Sequence, residues 1–100
     1  MFNVEITVNK SKLSGFLIDN ERKLRVPKWF AEEGLSDVQR MIFETLADYC
    51  LRVDEYTIPA IKATLMLENN GISWNNSTSS CLIDLAEKGY ISMVITPAGR

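Results

Sequence analysis

Ser73 to Ile91, SWNNSTSSCLIDLAEKGYI, reads as a helix with both ends marked and a strand behind it. Asn76 and Ser77 suit a helix start, because a short side-chain oxygen can accept one of the free backbone N–H groups there. Gly89 is the residue a helix favours just past its end. The spacing predicts a helix over 77–88. Thr78, Leu82 and Leu85, with Cys81 and Ala86 beside them, fall on one face at three- and four-residue intervals, and Ser79, Ser80, Ile83, Asp84 and Glu87 fall outside it. One side is expected to pack and the other to be free to read a partner. Beyond Gly89, Tyr90 to Ile95 has the composition of a strand.

Upstream, Ser36 and Gln39 form the S-x-x-Q capping pattern that opens a helix, and Asp37 favours its positive end. A long helix is expected over 36–53, with Val38, Met41, Ile42, Leu46, Tyr49, Cys50 and Val53 as its apolar stripe. Phe43 lies off that stripe, where it meets either the N-terminal sheet or a second subunit. Thr57 as N-cap and Pro59 in the first turn predict a second helix over 58–70, with Ile58, Ile61, Leu65 and Met66 facing the core and Asn70-Gly71 closing it. Residues 72–75 then make a connection longer than the roughly 3–4 residues of a tight helix-turn-helix. Leu46, Leu82 and Leu85 are expected among the most buried side chains.

Toward the N-terminus, Phe2, Val4, Ile6 and Val8 alternate with Asn3, Glu5 and Thr7, the pattern of a half-buried strand. A polar turn over 9–14, a strand over 15–18, a turn over 19–21 and a strand over 22–26, with Leu24 and Val26 inward, complete an antiparallel β-meander within residues 1–28. Residues 28–34 read as a short helical turn stopped by Gly34, from which Trp29 and Phe30 cap the core. The C-terminal strand is expected to pair with this meander. The fold class is α+β, in one domain spanning residues 1–100.

The order Leu35-Ser36-Asp37-Val38-Gln39, a helix, Thr57-Ile58-Pro59-Ala60-Ile61, a second helix, then Ser77-Thr78-Ser79-Ser80 leading to Leu85-Ala86-Glu87-Lys88-Gly89-Tyr90-Ile91 resembles a winged helix-turn-helix. It is similar to the DNA-binding domain of LexA-type repressors, and Thr96-Pro97-Ala98-Gly99-Arg100 resembles the segment after the wing in MarR-like regulators. The resemblance covers about the last two thirds of the chain, residues 36–100. It implies a small DNA-binding regulator with its recognition helix at 77–88, acting as a homodimer to which Phe43 and the N-terminal strands could contribute.

Composition narrows the classes. With 46% apolar and 24% charged residues the chain is an ordinary globular sequence, and no run approaches the ~20 apolar residues of a membrane helix. MFNVEITVNK lacks the apolar centre of a signal peptide, so a cytoplasmic protein without membrane attachment is expected. Cys50 and Cys81 have no paired spacing and lie on apolar helix faces, which points to buried free thiols. With no histidine, zinc sites and histidine-activated nucleophiles are not expected. The carboxylates are spread without a shared pocket, and no enzyme, metal or cofactor is expected.

The net charge of −2 conceals a split: residues 1–28 carry a positive surplus through Lys10, Lys12, Arg22, Lys23, Arg25 and Lys28, whereas residues 63–87 contain no Lys or Arg. Phosphates therefore have to meet the N-terminal segment. On the DNA reading, Asn75, Asn76, Ser77, Ser79, Ser80 and Ile83 meet the major groove, and Lys10, Lys12, Arg22, Lys23, Lys28 and Arg100 contact the backbone. The plainer reading of Asn76 and Ser77 is helix capping. The alternative function is a winged-helix module that binds and modulates a protein through Ile83, Trp74 and acidic neighbours, without DNA.

Overall fold

β1 (Phe2–Val8) is the middle strand of a three-stranded antiparallel sheet, between β4 (Thr57–Pro59) and β5 (Ile91–Pro97). The structure, a computed structural model, describes residues 2–97. The alternation of β1 explains its central place, since Ile6 lies directly between Ile58 and Met93 and Val8 lies opposite Ile91, which completes an apolar inner face. Ile6, Val8, Ile58 and Ile91 are buried, whereas Val4 runs past the core and is exposed. The expected pairing of the C-terminal strand with the N-terminal segment is present along all seven residues of β5.

The N-terminal strands do not form one meander. Asn9 caps a 3-10 turn over Lys10–Leu13, which redirects the chain, and β2 (Leu17–Ile18) and β3 (Leu24–Arg25) form a separate two-residue hairpin packed on the central helix. Strands this short offer too few ladder bonds to extend the main sheet, while β1 gains two partners by leaving them. Val26, expected inward, is exposed.

The helices are α1 (Lys28–Ala31), α2 (Asp37–Val53), α3 (Ala60–Asn69) and α4 (Asn76–Glu87). The capping box at Ser36 and Gln39 is formed in both directions. The buried face of α2 is Gln39, Ile42, Phe43, Leu46, Ala47 and Cys50, while Val38, Met41 and Val53 are exposed, so the stripe is rotated from the expected one. Gln39 shares this inner face, where its side chain binds the Ser36 N–H and donates to Asp84 of α4. Phe43 is fully buried against Phe16, Phe30 and Tyr90, which places it in the core and removes it from any subunit contact. Trp29 and Phe30 join this cluster as expected, with Trp29 Nε1 donating to the Ser14 carbonyl at 2.8 Å.

Residues 57–59 are strand, and α3 starts only at Ala60; Ile58 is drawn into the sheet by its place opposite Ile6. Ala63 and Leu67 are its buried residues, and Ile61 and Leu65 face outward. Both α3 and α4 end in the same way. Gly71 donates to Glu68 and Ile72 to Leu67; Gly89 donates to Ala86 and Tyr90 to Leu85. These paired bonds need a left-handed residue, which glycine supplies at φ 83° and 85°. Leu46, Leu82 and Leu85 are all within 1% of full burial. No helix among the described residues is long and apolar enough to cross a membrane.

Candidate functional site

α4 begins one residue earlier than its sequence suggests. Asn75 is the N-cap, and its Oδ1 accepts from the Thr78 N–H at 3.0 Å; Thr78 in turn donates through Oγ1 to the Ser73 carbonyl at 2.5 Å. Asn75 is thus spent on starting the helix, and Thr78 is buried. The exposed stripe that remains is Asn76, Ser77, Ser80, Ile83 and Glu87, with Ser79 half-buried at its edge. Of the six candidates for groove contact, Asn76, Ser77, Ser80 and Ile83 share one open face.

Among the described residues, that face has no available cation. Lys88, just beyond it, holds Asp84 Oδ2 at 2.7 Å, and together with the Gln39 amide it keeps the Asp84 carboxyl below its ordinary range. In the first turn of α3, Lys62 donates to the Tyr49 hydroxyl at 2.7 Å and stacks 4.5 Å above its ring; the Tyr49 hydroxyl passes its proton contact on to Glu55. Arg40 is paired with Asp37 and Arg52 with Asp48.

The N-terminal cations are dispersed. Lys10 lies 4.4 Å above the Tyr56 ring and Lys12 4.7 Å above the Tyr90 ring, both near Gly89, whose carbonyl binds Asn9. They therefore sit at the C-terminal end of α4, about 18 Å along the helix from Asn75 at 1.5 Å per residue. Arg22 and Lys23 are on the β2–β3 turn, where the Arg22 carbonyl accepts from Arg52 and Lys23 stands 4.0 Å from Glu21. Arg25 is held by Asp19 at 2.8 Å, and Lys28 opens α1. Arg100 lies outside the described residues. The structure does not gather these groups with the α4 stripe.

What it does gather is an apolar surface. Ile61 and Leu65, one turn apart on α3, are 76% and 58% exposed. Ile61 lines an open groove with Val4, Pro59 and Ala60, edged by Asn3 and Glu5, and Val4 is the cross-strand partner of Ile95, itself 66% exposed. The inner face of the β1–β5 ribbon thus continues past the core at Val4 and Ile95, and Val4 meets the start of α3 at Ile61. Sequence reading assigned Ile61 and Leu65 to the core. The available signal was that AIKATLML carries two apolar stripes, 61/65 and 63/67, of which a surface helix buries one. No family model, no curated protein and no solved structure matches the chain.

Proposed function

We propose that this chain is a winged-helix-type binding module that takes a protein partner on the apolar surface of α3 and the β1–β5 ribbon. The winged-helix reading is supported by the order helix, strand, helix, helix, strand from α2 to β5, with β1 standing where a returning wing strand would. The observation that carries the choice of partner is the exposure of Ile61, Leu65, Val4 and Ile95, together with the lack of a free cation on the α4 stripe among the described residues. Apolar contacts of this kind are buried by proteins, whereas duplex DNA draws most of its affinity from Lys and Arg on phosphates.

A DNA-reading α4 is the second reading, favoured by one feature: Asn76, Ser77 and Ser80 present small polar groups on an open helix face, suited to base edges. Lys10, Lys12, Arg22, Lys23 and Lys28 would then supply the phosphate contacts. One paired experiment separates the two. Ile61→Asp with Leu65→Asp alters only exposed positions, so the fold is expected to survive while a partner captured by the wild-type chain is lost. In the other arm, the wild-type chain is expected to leave a random-duplex pool unshifted at ~50 mM salt. Duplex retention that disappears in Ser80→Ala and persists in the double aspartate variant would replace the protein reading with the DNA one.

A further inference from the structure

The main sheet has two edges, β4 and β5; β5 is the longer, and apart from Pro97 at its last position it lacks the devices that normally keep an edge solitary. Ile91–Pro97, ISMVITP, has no charged residue, and its backbone groups on the side away from β1 have no partner among the described residues. Ser92, Met93, Val94 and Ile95 are all exposed. Natural edge strands that stay solvent-facing are short or bulged, or carry lysine, proline or an inward charge; β5 is seven residues long, pairs with β1 in unbroken register, and has only Pro97, at its last position, as such a device.

We infer that β5 pairs with β5 of a second copy of this chain, antiparallel across a two-fold axis near Val94, so that two three-stranded sheets become one. Charge selects the occupant. A two-fold axis sets each residue against itself or a near neighbour, so a charged edge would repel its own copy, and a charged peptide would gain nothing from this one. With Val94 at the axis, Met93 of one copy faces Ile95 of the other. Both lie on the inner face, since Met93 is opposite Ile6 and Ile95 opposite Val4, so the pairing extends an apolar layer that is otherwise in water. A strand edge alone buries less than the ~1,200 Å² of a stable interface, so the dimer is expected to be reversible and concentration-dependent. The inference does not rest on the proposed partner surface, with which it shares Ile95 while Ile61 and Leu65 lie outside it.

Val94→Lys tests it. Val94 lies on the outer face directly opposite Glu5, so a lysine there gains a cross-strand carboxylate and the fold is kept, while two lysines meet at the axis. Sedimentation of the full chain over about a hundredfold concentration range should show the wild type passing from monomer to dimer, and Val94→Lys should weaken the dimer by about tenfold or more. Amide exchange provides a second measurement on the wild type alone, with β5 protection rising with concentration and α3 protection unchanged. A wild type that stays monomeric throughout, or a dimer equally tight in Val94→Lys with unchanged β5 exchange, would overturn the proposal. Either result leaves the Ile61 and Leu65 test intact, because those residues lie away from the β5 edge.

Discussion

Cys50 is the residue at which burial has the clearest chemical consequence. It is fully enclosed on the inner face of α2, and burial pushes its thiol up to about 11. The folded chain therefore holds this proton more tightly than the unfolded chain does. The resulting stabilisation is intact below the unfolded thiol's value of 9.0 and is lost as pH rises through about 11. Denaturant midpoints measured across this window should fall more steeply for the wild type than for Cys50→Ala, whose comparison removes the shared titration of tyrosines and lysines. Parallel slopes would show that the thiol is not coupled to folding. At neutral pH it is the enclosure of Cys50 that keeps reagents away, so modification by a thiol reagent should wait for unfolding, while half-buried Cys81 reacts first.

At the scale of the element, α4 shows how a side chain that looks like a reader can be a fastener. Asn75 starts the helix by accepting from the Thr78 N–H, and Asn75→Ala should cost about 0.5–2 kcal/mol while Asn75→Asp, which keeps the oxygen, should cost little. Thermal unfolding of the two variants checks this; equal losses would mean that the side chain does something other than cap. Much of α4 was legible beforehand, because Thr78, Leu82 and Leu85 follow helical spacing and Gly89 marks the stop. The capping box of α2 was legible for the same reason, being a local pattern of a few residues. What sequence could not supply was orientation where two answers fit. Gln39 is legible as half of the capping box but not as an inner residue that also reaches Asp84, and the face it shares buries Phe43 and leaves Met41 exposed. In α3, stripes 61/65 and 63/67 satisfy the same period, and only packing against β1 decides between them. The groove-facing candidates split along similar lines, since exposure on one helix face is a periodic property and the position of lysines from distant elements is a tertiary one.

Across the whole molecule, the strand that completes the sheet comes first in the chain and its partners come late. Thr7 pairs with Thr57 and Val8 with Ile91, so β1 cannot gain its neighbours until most of the sequence has been brought together. Contacts within and between α2, α3 and α4 close shorter loops and are expected to form earlier, because loop closure costs more as separation grows and is repaid only when the distant contact is made. Ile6 reports on the late step: it is buried between Ile58 and Met93, and Ile6→Ala should cost about 2–5 kcal/mol. If β1 docks after the barrier, that loss appears almost wholly as faster unfolding, with the refolding rate little changed. Leu46→Ala, in the middle of α2, should instead slow refolding. Stopped-flow folding and unfolding rates across denaturant measure both, and an Ile6→Ala chevron displaced mainly on its folding arm would place β1 inside the nucleus and reverse this order of assembly.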